Sequence, residues 1–141
     1  MQRYIHNIVD FFELFEKLKF EMEKYGSIYT AMLFEIKDDS RINEFWDFLL
    51  KYLRISDTVF SYRDNKLLVI LEETTTRWSM ILNEGLRKRI ENKWFKYDYY
   101  CSSIQGDFID SDEKLLKSLK KRLKIAKQLD TKECIHALSD N

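Results

Sequence analysis

Two thiols, Cys101 and Cys134, and two imidazoles, His6 and His136, are the side chains with the softest chemistry in the chain. Cys134 and His136 are two residues apart, so on a strand they share one face. Two cysteines with two histidines so far apart make no zinc-ligand set, and packing is the expected role of the pair. A second cluster is cationic: Lys114, Lys117, Lys120, Lys121, Arg122, Lys124 and Lys127 crowd one segment against Asp112 and Glu113. The 24 Lys and Arg are cancelled by 24 Asp and Glu. With no net field and no interleaved aromatics, this segment reads as a solvated helix face rather than a nucleic-acid surface. Three glycines, Gly26, Gly85 and Gly106, are too few and too scattered for a phosphate-cradling loop, which excludes the P-loop and dinucleotide fingerprints. Arg54 and Asp57 form a further cation and acid pair; an arginine suits a helix C-terminus, and an aspartate three residues on can close a turn through its own backbone bonds.

These side chains need elements to hold them. At 141 residues, 45% hydrophobic and with 10 Phe, 8 Tyr and 3 Trp, the chain is expected to fold as one unit over residues 1–141. Ile8, Phe11, Phe12, Phe15, Leu18, Met22 and Tyr25 recur at helical spacing, and Gly26 should stop that lead-in helix (1–26). The remainder, 27–141, should form a sheet-and-helix core. Ser27 to Ile36 is apolar on both faces and suits a central strand. Ile42 to Leu53 gives a second helix with Ser40 as its cap, ending near Arg54. Thr58 to Tyr62 and Leu67 to Leu71 read as a hairpin whose Asp64-Asn65 turn can take positive φ. Trp78, Ile81, Leu82, Leu86 and Ile90 mark a third helix. A strand over Tyr97 to Ile104 follows, then a helix from Leu115 to Ala126 opened by an Asp110 and Glu113 capping box, and a closing strand from Glu133 to Leu138. The order β-α-β-β-α-β plus one helix and one strand predicts an α+β, ferredoxin-like, mostly antiparallel sheet with helices on one face. RNA recognition motifs share this order, but the Lys66 to Leu71 strand lacks the aromatics that stack bases there.

The longest charge-free stretch, Gly26 to Phe34, is nine residues, against the roughly 20 that a spanning helix needs. Asp10 and Glu13 interrupt the apolar N-terminal stretch, so a secretory leader is not expected and the cytosol is the expected compartment. The triplet Phe11, Phe12 and Phe15 gives the first helix enough apolar surface either to pack inward or to meet a protein partner or a second copy.

Five segments, in order, resemble the GGDEF domains, the diguanylate cyclases of bacteria. They are the helix Phe11 to Tyr25, the strand Ala31 to Lys37, the hairpin Asp57 to Thr74, the tripeptide Ser103-Ile104-Gln105 and the helix running from Leu115-Leu116 to Ala126-Lys127. The resemblance implies the nucleotidyl-cyclase palm fold. It also places the family's signature pentad on Arg63-Asp64-Asn65-Lys66-Leu67, with side chains on both glycine positions and Asn65 and Lys66 at the paired acidic positions. Glu35 stands for the first metal-binding carboxylate and Lys37 for the second. At an effective dielectric of about 20, an ammonium about 4 Å from Mg²⁺ is repelled by roughly 8 kcal/mol. The expectation is therefore an inactive domain with no catalytic residue, metal or cofactor.

Lys127 matches a phosphate-contacting lysine of the family, while Thr131 replaces its arginine. Arg54-Ile55-Ser56-Asp57 matches the Arg-x-x-Asp motif through which the family binds cyclic di-GMP, the guanidinium facing O6 and N7 of guanine and the carboxylate its N1 and N2 hydrogens. Gly85 falls where a supporting arginine is usual, with Arg87 as the nearest substitute. The resemblance thus offers cyclic di-GMP as a ligand of Arg54, Asp57 and Arg87; the alternative is a protein-interaction module without a nucleotide, and a residual cyclase ranks last.

Overall fold

The computed structural model describes residues 6–63, 65–92, 98–106 and 109–137. The long strand β2 (Tyr29–Ile36) is buried along its whole length and forms the axis of the molecule. On one side it pairs antiparallel with β4 (Lys66–Glu72), which pairs antiparallel with β3 (Thr58–Tyr62). On the other it pairs antiparallel with β5 (Tyr99–Gln105). Two short parallel strands finish the sheet, β1 (His6–Asn7) beside β3 and β6 (Ile135–Ala137) beside β5, in the order β1-β3-β4-β2-β5-β6.

The period-two alternation of strands divides the core cleanly. Met32, Phe34 and Ile36 of β2 join Leu67, Val69 and Leu71 of β4 under α2 (Ile42–Leu50) and α3 (Thr76–Asn92). Tyr29, Ala31 and Leu33 join Leu68 and Ile70 under α1 (Phe11–Tyr25) and α4 (Asp112–Leu129). The expectation of helices on one face holds only for α2 and α3. The apolar stripes of α1 and α4 need a surface as well, and the other face of the sheet, equally apolar, supplies it.

Gly26 ends α1 in the left-handed region at φ +70, donating to Met22 O. Phe11 and Phe15 are buried, whereas Phe12 and Phe20 are about half exposed. Three local expectations are corrected. The Asp38 carboxylate, accepting from the Ser40 amide and hydroxyl, holds the turn before α2, so Ser40 is not its cap. Ser111, whose hydroxyl accepts from the Lys114 amide, caps α4 one residue after the proposed Asp110; Asp110 instead pairs with Lys114 at 2.9 Å. In the hairpin turn Arg63 carries the positive φ, +59, and Asn65 does not; Asp64 lies outside the described residues. The outer ends of the strands expected over 97–104 and 133–138, residues 97 and 138, lie outside them too.

Candidate functional site

Register and helix placement bring three of the singled-out residues together at one end of β2. Glu35 lies directly opposite Lys66 in the β2 and β4 ladder, and the alternation turns both toward α4. The last turns of α4 deliver Lys127 to the same point. Lys66 Nζ sits 3.0 Å from Glu35 Oε1 and Lys127 Nζ 2.8 Å from Oε2, so each carboxylate oxygen has its own ammonium. Burial would raise the Glu35 pKa, but the hydrogen bonds from Lys127 and Lys66 outweigh it and the net shift is downward. Above this clamp opens a cleft of about 410 Å³ edged by Lys120, Leu123, Lys124 and Gln128.

Such a site does not fit a divalent cation. Each oxygen of the carboxylate already accepts from an ammonium group, and a divalent ion drawn to it would meet those two positive charges at contact distance. Among the described residues, no group of three or more His, Cys, Asp or Glu is arranged to hold a metal. What the cleft offers instead is lysine ammonium groups around one glutamate, an environment for anionic groups.

Lys37, at the end of β2, reaches Asp98 at 2.8 Å and Asp130 at 3.4 Å. Asp98 also receives Arg87 at 2.6 Å, and Asp130 accepts from the Tyr100 hydroxyl at 2.6 Å. Burial would raise the Asp98 pKa; the hydrogen bonds from Lys37 and Arg87 win and lower it. Sequence reasoning missed this network because its members are spread from residue 37 to residue 130 and no local spacing connects them.

Arg54 and Asp57 occupy the opposite end of the sheet. Asp57 Oδ2 accepts from the Arg54 amide at 2.8 Å, and Oδ1 accepts from Arg54 Nη2 at 3.2 Å. The same guanidinium donates to Glu72 O at 2.8 Å and to Thr74 Oγ1. The sequence places the end of the second helix near Arg54. In the structure α2 stops at Leu50, the Asp57 side chain is 1% exposed and that of Arg54 45%. Arg87 does not join them. It spans Lys132 O, Asp98 and Tyr99 O and stacks 3.7 Å from the Tyr99 ring. Tyr99 pairs with Ile36, whereas Glu72 pairs with Tyr29; seven steps of strand at about 3.3 Å put the two arginines on the order of 20 Å apart. Arg87 is therefore not a substitute for the arginine missing at Gly85.

The Arg54 and Asp57 unit acts as a corner brace between the end of α2 and β3. Replacing Asp57 with Ala strands the Arg54 amide and loosens the guanidinium, and is expected to lower stability by about 2 kcal/mol. Urea unfolding of the variant checks this; an unchanged midpoint would show that the brace carries no weight.

No protein-family model matches the sequence, and no curated protein matches it. Solved structures do. The GGDEF domain of YfiN (TpbB) from Pseudomonas aeruginosa superposes with a TM-score of 0.78 at 12% identity, covering 95% of this chain and 91% of that one. The GGDEF domain of DgcB from Caulobacter crescentus, solved in complex with c-di-GMP, superposes at 0.73 with 13% identity over 99% and 97%. The chain has the GGDEF fold. Diguanylate cyclase SiaD from Pseudomonas aeruginosa, solved with its activator SiaC, shares that fold at a TM-score of 0.72 and 13% identity, over 93% of this chain and 58% of that one. The α+β architecture expected from the order of elements is thus the nucleotidyl-cyclase palm of GGDEF domains. Among the described residues, no helix is long and apolar enough to cross a membrane.

Proposed function

We propose that this GGDEF-fold domain is catalytically silent and signals through binding. The observation that carries the reading is the clamp on Glu35: the carboxylate matching the family's first metal ligand is neutralised by Lys66 and Lys127 at 3.0 and 2.8 Å. The pentad Arg63-Asp64-Asn65-Lys66-Leu67 supports it, because a cation stands where an acidic metal ligand is needed. Incubating the protein with GTP and Mg²⁺ should yield no cyclic di-GMP by chromatography. Turnover that is abolished by Glu35→Gln would overturn the proposal.

A protein contact is the favoured mode of signalling. Phe12 and Phe20 lie eight residues apart on the outer side of α1, each about half exposed, while Phe11, Phe15 and Leu18 serve the core. This fits self-association through α1, and Phe12→Glu with Phe20→Glu is expected to return the light-scattering mass to that of one chain. A parent protein already of monomer mass would remove the self-association reading. Cyclic di-GMP binding is the second reading. Arg54 keeps 45% of its side chain exposed and borders a cleft of about 290 Å³ with Lys17, Ser56 and Glu72. The Asp57 side chain, 1% exposed, must turn outward before it can accept from guanine. Calorimetric titration with cyclic di-GMP separates the readings: heat lost in Arg54→Ala supports the receptor, and no heat at micromolar ligand removes it.

A further inference from the structure

The face of the sheet under α3, opposite the face that carries the Glu35 clamp, holds a second cluster. The parallel register of β5 and β6 pairs Ser102 with Ile135 and Ser103 with His136, so one step earlier Cys101 stands beside Cys134. Their sulfurs are 2.9 Å apart, both are buried, and both are free thiols. Ser103 Oγ contacts His136 Nδ1, and Ser79 Oγ of α3 lies 3.3 Å from Ser103 Oγ and 3.5 Å from the same imidazole nitrogen. Cys134 and His136 also line a cleft of about 220 Å³ shared with Met80, Asn83, Glu84 and Glu133. One water molecule takes about 30 Å³, so this cleft has room for a small peroxide beside Cys134.

We infer that Cys134 is a site of oxidation by hydroperoxides, with Cys101 as the resolving thiol, and that the product is a disulfide joining β5 to β6. The two sulfurs are unequal. Burial would raise the Cys134 pKa, but contacts with Cys101 and then His136 make the net shift downward. Burial and the neighbouring Cys134 push Cys101 up. The thiolate is the nucleophile, which makes Cys134 the attacking sulfur. It forms an S–O bond as the O–O bond of the peroxide breaks, and the leaving hydroxide takes up the proton that the Cys134 thiol released and departs as water. Cys101 then attacks the Cys134 sulfenic acid. The S–S bond forms, the S–O bond breaks, and the hydroxyl leaves with the Cys101 proton as a second water. Two thiols have lost two electrons to one peroxide. Neighbouring strands lie about 4.8 Å apart, inside the Cα separation of about 4.4–6.8 Å that a disulfide spans. This inference is independent of the proposed function.

The test is exposure of the native protein to a small molar excess of hydrogen peroxide, quenching by alkylation, and peptide mass mapping. A cross-linked pair of peptides carrying Cys101 and Cys134, lighter by two hydrogens, is expected, formed several-fold faster than in the urea-unfolded chain. Cys101→Ser should trap the Cys134 sulfenic acid as a dimedone adduct, and His136→Ala should slow its formation several-fold with the fold retained by circular dichroism. Thiols that stay alkylatable, a native rate no greater than the unfolded one, or equal dimedone labelling of Cys101 in Cys134→Ser would overturn the inference.

Discussion

Replacing Lys66 and Lys127 together with Met is expected to destabilise the domain by about 3 kcal/mol at neutral pH, the low end of what stranding one partner of a buried ion pair costs. The Glu35 side chain is 9% exposed, so without its ammonium partners it keeps a charge that water reaches poorly. The low end applies because Lys127 is itself half exposed, at 49%. The sign with pH follows from the shift. In the parent, the Glu35 pKa lies below its ordinary 4.5, so the clamp stabilises above that value, and its contribution is lost as pH falls through the lowered pKa. In the double variant the carboxylate has lost both contacting ammonium groups and burial dominates, so acid relieves the penalty. Urea unfolding at neutral pH and in acid should show the gap between parent and variant closing as pH falls. Adding Glu35→Gln should restore most of the lost stability. A double variant as stable as the parent at neutral pH would mean that the carboxylate is solvated, and the case against a divalent cation would weaken with it.

Gly106→Ala should be as damaging without touching any charge. A Cβ built there lies within 3.0 Å of Tyr29 Cζ, Cε1 and Cε2. Neither party can withdraw: the Tyr29 ring is 1% exposed, and the Gly106 amide is tied to Tyr29 O at 2.9 Å. Overpacking of this kind costs about 3 kcal/mol, which for a domain of this length lowers the thermal midpoint by about 10 °C. Differential scanning calorimetry reads it directly. In a Tyr29→Leu background the penalty should shrink, since the ring that causes the collision has gone. An equal penalty in both backgrounds would place the cause elsewhere.

Where local pattern and tertiary demand agree, the sequence was legible. The apolar run that became β2, the hairpin strands, and Gly26 at the end of α1 are each dictated by residues within one element. Glu35 and Lys66 were singled out, but their contact depends on β2 and β4 register, and Lys127 arrives from α4, 92 positions beyond Glu35 by number. The buried side of α3 was hidden for another reason. It carries Ser79, Asn83 and Arg87 alongside Leu82 and Leu86, while Trp78 and Ile81 remain partly exposed. Those polar groups find partners on Ser103, Tyr99, Asp98 and the Lys132 carbonyl, and hydrophobic periodicity cannot register them. Arg54 and Asp57 show the converse. Their spacing is legible and matches a ligand-binding motif, yet the side chains bond first to each other.

Among the described residues, the sheet finishes with β1, two residues long, at one margin and β6, three residues long, at the other. An unpaired row of amides and carbonyls is a template on which another chain can polymerise, and the hazard grows with the length of the row. Here the long apolar strands β2, β4 and β5 all lie inside, with a neighbour on each side. Among the described residues, the outermost strands offer a stray strand rows of two and three residues, a short template for a growing fibril.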